Sequence, residues 1–126
     1  MAIIVKWFDE AKTICILQRD ENWTWKEFDD ANVQSNHMIK EVSHPVNLIV
    51  DGADRLPPGY PIRHFRQALM SKPNNLKALI IVISNPFGRT IFNAMSRLNQ
   101  RQSRLLVAVQ SSKEAFELVK PVAATV

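Results

Sequence analysis

Few residues of this chain are of a type and spacing that could support catalysis. Asp51, His64 and Ser84 supply the acid, base and hydroxyl of a hydrolase triad, but nothing in the local sequence orients them toward one another. The other two histidines, His37 and His44, lie at no spacing that would complete a pair of metal ligands. We therefore expect no catalytic residues, no metal site and no cofactor, which predicts that the protein is not an enzyme.

Glycine and cysteine usage excludes two further kinds of site. The three glycines, Gly52, Gly59 and Gly88, fall in no phosphate-binding pattern. The single cysteine, Cys15, lies in an apolar run without a basic neighbour, so we predict a buried thiol rather than a reactive one. One cysteine provides no disulfide framework, and nothing indicates an oxidising compartment.

Three short apolar runs indicate where a site would form. The runs are VNLIV (46–50), ALIIVI (78–83) and LLVAV (105–109), and stretches of helical period separate them. Such runs are typical of buried parallel strands in an α/β domain, in which sites form outside the carboxyl ends of the strands. We expect a partner- or ligand-binding site there, with these candidate residues: Asp51, Asp54, Arg55, Tyr60, Arg63, His64, Arg66, Asn85 and Arg89.

The charged candidates indicate what the site could bind. Arg63 and Arg66 are three residues apart, so they share one face of a helix, where an acidic protein surface or a small anionic ligand could meet them. Asp51 and Asp54 form a carboxylate pair that could bind a cation weakly, but helix capping or turn formation is the favoured explanation for them.

Charge is unevenly distributed along the chain, whose net charge is +4. Residues 1–54 carry five basic and ten acidic side chains, whereas residues 55–126 carry eleven basic and two acidic ones. Two interpretations remain open: an anionic partner for the second half, or compensation between the two halves within one fold. Nucleic-acid binding is disfavoured, because the basic residues are scattered and Phe65, Phe87 and Phe92 occupy core-like helical positions.

The predicted order of elements is β-β-α-β-α-β-α-β-α. Residues 2–8 and 13–18 are β-branched and aromatic and predict an antiparallel hairpin ahead of the three apolar strands. Right-handed crossovers would bring the last three strands side by side with helices packed on them. The fold class is therefore α/β, with a mixed, mostly parallel sheet and four helices.

Caps and prolines predict the helix ends. The first and last helices begin at capping boxes, at 24–27 and 111–114, and Pro45 ends the first helix. Pro61 and Pro86 suit the first turns of the second and third helices. The last helix is expected to turn Ala115, Leu118 and Val119 inward, and the second to expose Arg63, His64, Arg66 and Gln67.

The first strand offers a route to self-association. Ile3, Val5 and Trp7 would lie on one of its faces and Ile4 on the other. If this strand lies at the sheet edge, its apolar character invites pairing with a second chain, so a homodimer is a possible assembly.

The length of 126 residues suits one domain, which we place at residues 1–120 with a frayed tail at 121–126. Lys6, Asp9 and Glu10 interrupt the apolar N-terminus, so we predict no signal peptide. No apolar stretch reaches the roughly 18 residues that a membrane span needs. We expect a cytoplasmic protein without a membrane partner.

The strand order and three segments resemble the STAS domains, which comprise the anti-sigma factor antagonists and the cytoplasmic domains of sulphate transporters. The segments are VNLIVDGADRLPPGYPIRHF, LKALIIVISNP and RLLVAVQSSKEAFEL. The resemblance spans about residues 1–120 and is nearest to the small stand-alone STAS-like proteins of bacteria.

This resemblance implies a regulatory, non-enzymatic module that binds a partner protein, since STAS domains bind proteins and some bind nucleotides or other small ligands. In the anti-sigma factor antagonists, a Ser or Thr at the start of the second helix is phosphorylated. The matching place here is Gly59-Tyr60-Pro61, and residues 51–70 contain no Ser or Thr. The resemblance therefore implies a docking surface that lacks the phosphorylation switch.

Overall fold

The computed structural model describes residues 2–52, 57–59, 61–84, 86, 88–90, 93 and 106–119. Its strands are β1 (Ile3–Trp7), β2 (Ile14–Arg19), β3 (Val46–Gly52), β4 (Leu76–Val82) and β5 (Leu106–Val109). Its bounded helices are α1 (Trp25–Lys40), α2 (Pro61–Met70) and α3 (Ser112–Leu118). Residues 86, 88–90 and 93, between β4 and β5, are also helical. The predicted tail at 121–126 lies outside the described residues.

The five strands form one sheet in the order β1-β2-β3-β4-β5, so each strand lies beside its predecessor in the chain. β1 and β2 are antiparallel, whereas the pairs β2–β3, β3–β4 and β4–β5 are parallel. This confirms the predicted α/β class with an N-terminal antiparallel hairpin. Among the described strands, β1 lies at an edge of the sheet, which is the condition that the self-association hypothesis requires.

The two faces of the sheet are covered by different helices. α1 and α2 pack on one face, where the core includes Leu17, Phe28, Leu48 and Leu69. α3 packs on the other face, against a smaller cluster that includes Ile49. Because both faces are covered, the middle strands read as continuous apolar runs in the sequence rather than as alternating ones.

Two predicted helix details are wrong. α1 ends at Lys40, not at Pro45. The Nδ2 group of Asn75 donates to the carbonyl oxygens of Ile39, Val42 and His44 at 2.8–3.1 Å, so a side chain from a distant loop satisfies the chain end that local sequence could not.

The inward face of α3 differs from the prediction at one position. Leu118 is 57% exposed, whereas Ala115 is fully buried and Val119 is half-buried. Phe116 takes the inward place instead, with its ring centroid 4.5 Å from that of Phe8. The start of α3 is nevertheless the predicted one, since the Ser111 hydroxyl accepts from the Glu114 backbone N–H.

Candidate functional site

The exposed side of α2 presents two of the predicted basic residues. Arg63 and Arg66 are both exposed, and neither forms an ion pair among the described residues. Arg63 lies in the first turn of α2, a turn that contains no acidic residue. A helix N-terminus carries a partial positive charge that favours acidic side chains, so this arrangement concentrates positive potential at one place.

The other two helices whose ends are defined, α1 and α3, follow the opposite charge pattern. α1 has Glu27 in its first turn, with His37 and Lys40 in its last, and α3 has Glu114 in its first turn. Those charges oppose the helix dipole, as is usual in stable helices. α2 has neither an acidic first turn nor a basic last turn. Its charge distribution is therefore not explained by the stability of the helix itself.

His64 does not lie free on the outer face of α2 as the sequence predicted. Its ring stacks on Trp25 at a centroid distance of 4.5 Å and an angle of 6°. Its Nδ1 donates to the Asp29 carboxylate at 3.0 Å. His64 is half-buried and joins α2 to α1, so it fixes the orientation of the helix that carries the two arginines.

Trp25 also holds the segment before α2. Its Nε1 donates to the Pro57 carbonyl oxygen at 3.1 Å, in a buried contact. Gly59 has a φ of +135°, and a Cβ there would lie 3.2 Å from the Trp25 ring. The loop can approach the ring this closely, with this backbone, because the residue is glycine.

Asp51 lies at the end of β3, and its contacts are with residues other than the two arginines of α2. Its carboxylate accepts from the Ser112 hydroxyl at 2.6 Å and from the Gly52 backbone N–H at 2.7 Å. Ser112 is the first residue of α3, and sequence reasoning missed it because the two residues are far apart in the chain. The parallel order places both at the carboxyl edge of the sheet, which is the signal that could have found the pair.

Sequence reasoning also missed Arg19, which lies beside Asp51 at this edge of the sheet. It is 6% exposed, its Nε donates to the Asp51 carbonyl oxygen at 3.3 Å, and its guanidinium carbon lies 5.0 Å from the Trp23 ring centroid. Gly52, with a φ of +112°, lets β3 pass here, because a Cβ would lie 2.1 Å from the Arg19 carbonyl oxygen. Because side chains alternate between the two faces of a strand, Arg19 of β2 lies on the face of the sheet that α1 and α2 cover.

The imagined triad of Asp51, His64 and Ser84 is not supported by these contacts. His64 has Asp29 as its carboxylate partner, and the hydroxyl on Asp51 is that of Ser112. Among the remaining candidates, Arg89 is helical and half-buried, and its Nη1 is buried without a hydrogen-bond partner among the described residues. The candidates Asp54, Arg55, Tyr60 and Asn85 lie outside the described residues.

Lys72, just after α2, is a half-buried lysine whose amine is held by neutral groups. Its Nζ donates to the side-chain oxygens of Asn32 and Asn36, the latter at 3.2 Å. Burial lowers the pKa of Lys72 to about 8, with Cys15 opposing the shift. Burial likewise raises the pKa of the Cys15 thiol to about 11, so the prediction of a buried, unreactive cysteine is supported.

Neither of two spaces near Lys72 has the character of a ligand site. A cavity of about 30 Å³ between the sheet and the α1–α2 pair is lined by Arg19, Asn32 and Lys72 among apolar residues. It has room for one or two water molecules rather than for an organic ligand. An open groove of about 460 Å³ includes Lys40 and Lys72. There the lysines lie near the C-terminal ends of α1 and α2, which favour positive charge without any ligand.

In the part of the chain that the structure describes, no three His, Cys, Asp or Glu side chains are grouped so that they could hold a metal ion. No described helix has the length and apolar character needed to cross a membrane. Comparisons with protein-family models, curated proteins and solved structures returned no match.

Proposed function

We propose that this chain is a STAS-like regulatory module that binds an acidic protein partner through the N-terminal half of α2. One observation carries the proposal: Arg63 and Arg66 are exposed in the N-terminal half of α2, whose first turn contains no acidic residue, and neither arginine forms an ion pair among the described residues. An acidic surface docked there would supply the negative charge that the helix lacks.

The contacts that hold α2 in place support a docking role. His64 ties the helix to Asp29 of α1 and stacks on Trp25, and Trp25 in turn holds Pro57. A surface held in this way loses little conformational entropy when a partner binds, which favours affinity. The two arginines remain outside this framework and keep their guanidinium groups available.

The proposed binding does not depend on a phosphorylated hydroxyl at the start of α2. The segment 51–70 contains no Ser or Thr, so no serine or threonine hydroxyl there can carry a phosphate.

Charge reversal on α2 tests the proposal. Wild-type protein, the Arg63→Glu/Arg66→Glu variant and a Lys77→Glu/Lys113→Glu control would be immobilised and exposed to native lysate, and retained proteins quantified by mass spectrometry. The control changes the net charge equally at exposed positions on other elements. We expect an acidic protein to be retained by wild type and control and lost from the α2 variant.

The affinity between this chain and the partner it retains should also fall as salt is added, because the contact is between exposed charges. Retention that is equal for wild type and the α2 variant would contradict the proposed surface. Retention of no protein by the wild type would contradict the docking function itself.

A further inference from the structure

The outer side of β1 is an open edge of the sheet. β1 pairs with β2 on one side, and no strand of the described residues lies on its other side. Its sequence, IIVKW, contains no proline, and its pairing with β2 runs without a bulge. Proline, bulges and several charged residues are the usual protections of an edge strand, and β1 has a single lysine.

The hydrogen bonds at the two ends of the hairpin fix which residues face outward. The Phe8 N–H donates to the Ile14 carbonyl at 2.8 Å, and the Asp20 N–H donates to the Ala2 carbonyl at 2.8 Å. Directly opposed residues alternate between bonded and non-bonded pairs in an antiparallel ladder. The even-numbered residues of β1 therefore bond to β2, and the odd-numbered ones direct their backbone groups away from it.

Ile3, Val5 and Trp7 thus carry three N–H and three C=O groups that point to the open edge. No described residue outside the β1–β2 ladder hydrogen-bonds to them. The side chains of these residues pack inward beneath α1, so the edge offers backbone groups rather than a polar side-chain cover. A row of this kind is a template for an additional strand.

We propose that β1 pairs antiparallel with β1 of a second copy of this chain, about a two-fold axis through Val5, to make one continuous sheet. In this register Val5 lies opposite Val5 of the second copy and Ile3 lies opposite Trp7. All six outward groups of each strand then find partners, since the three odd positions map onto one another. The surface is self-complementary, as a two-fold interface requires.

The side chains favour the same register. Ile4 is 51% exposed on the other face of β1, and it would lie opposite Lys6 of the second copy, whose stem can cover it. Moving the axis to Lys6 would instead place the two lysines opposite each other and leave Ile3 unpaired. The register through Val5 is therefore the one that pairs every outward group and opposes no like charges.

Substitutions at Ile4 test this register by charge. Within its own sheet Ile4 lies opposite Gln18, which is neutral and exposed, so neither Ile4→Lys nor Ile4→Glu meets a cross-strand charge within the monomer. In the dimer, Ile4→Lys opposes two pairs of lysines, whereas Ile4→Glu forms two pairs of opposite charge. The Ile4→Lys/Lys6→Glu variant restores attraction. Val5→Pro removes an outward N–H and none of the hydrogen bonds to β2.

Sedimentation equilibrium over a range of concentrations measures the assembly. We expect wild type to reach twice the 14.4 kDa mass of one chain and to dissociate on dilution. Ile4→Lys should raise the dimer dissociation constant about tenfold or more, Ile4→Glu should lower it, and the double variant should return it toward wild type. Val5→Pro should be monomeric with an unchanged far-ultraviolet circular dichroism spectrum.

Three results would overturn the proposal. The first is a wild-type protein that stays monomeric at several hundred micromolar. The second is a dimer whose dissociation constant is the same in Ile4→Lys and Ile4→Glu. The third is a Val5→Pro variant that dimerises as tightly as the wild type, because this substitution removes a hydrogen-bond donor from the proposed ladder.

Discussion

Lys72 shows at the scale of one residue how a charge can be kept inside a fold without an opposite charge. Its ammonium group is bound by the amide oxygens of Asn32 and Asn36, and Asn32 and Asn36 also donate to Ser71. Amide oxygens accept hydrogen bonds but provide no net charge, so burial still favours the neutral amine. Lys72 therefore makes the stability of the protein depend on pH.

The free energy of unfolding should rise between pH 8 and 9 because of Lys72. The pKa of the Lys72 amine is about 8 in the folded state and 10.5 ordinarily. Between these two values the unfolded chain binds more protons than the folded chain, so the free energy of unfolding increases with pH. We expect wild type to gain about 1 kcal/mol over this interval relative to Lys72→Met. Urea denaturation at pH 7, 8 and 9 measures the difference in slope, and Lys77→Met, an exposed position, is the control.

Cys15 acts in the opposite direction at higher pH. Its pKa rises from 9.0 to about 11 in the fold, so the unfolded thiol ionises first and stability falls between those values. The interval from pH 8 to 9 lies largely below this loss, which is why it isolates the lysine. Parallel pH profiles of wild type and Lys72→Met would show that the buried amine has no such role.

Some of these features could be predicted from the residue types, and others could not. The burial of Cys15 could be predicted from its apolar neighbours, and the pairing of Arg63 with Arg66 on one face from their spacing. The link between Asp51 and Ser112 could not, because it depends on two loops meeting at one sheet edge. His64 reads as an outer-face residue from helical period alone, and only the position of α1 reveals its bond to Asp29.

At the scale of an element, α3 is short and is held at both ends. Ser112 bonds to Asp51 at one end, and Phe116 meets Phe8 near the other. A helix of 7 residues is not stable in isolation, so these contacts and the burial of Ala115 must hold it on the sheet.

Phe116→Ala should destabilise the protein by about 2 kcal/mol, because a half-buried ring loses its contact with Phe8 and with the second core cluster. Leu118→Ala on the same helix should cost less than about 0.5 kcal/mol, since Leu118 is 57% exposed. Thermal or denaturant unfolding of both variants measures the difference. Equal losses would mean that α3 does not pack through Phe116.

Strands were predicted more accurately than helix ends. Each of the five strands lies within two residues of its predicted bounds, because β-branched runs bounded by turns mark a strand locally. The end of α1 depends on Asn75, which belongs to a loop more than 30 residues away. The orientation of α3 depends on Phe8, at the other end of the chain, so neither feature is encoded in its own segment.

At the scale of the whole molecule, the sheet has a protected centre and two edges. β3 lies between β2 and β4, and Leu48 and Ile49 are at most 1% exposed. At low protein concentration, where β1 is unpaired outward, amide hydrogen exchange should be slowest in β3 and fastest, among strand residues, at Ile3, Val5 and Trp7. Residue-resolved exchange by NMR measures this, and uniform protection of β1 and β3 would contradict it.

The side-by-side order of the strands has a consequence for synthesis on the ribosome. Each strand that emerges finds its neighbour already made, since no later strand has to insert between two earlier ones. The sheet can therefore grow from its N-terminal hairpin in the direction of translation, one strand at a time. Until the next segment emerges, however, every intermediate exposes a fresh apolar edge, so a pause in translation after β3 or β4 is the moment at which this chain is most vulnerable to aggregation.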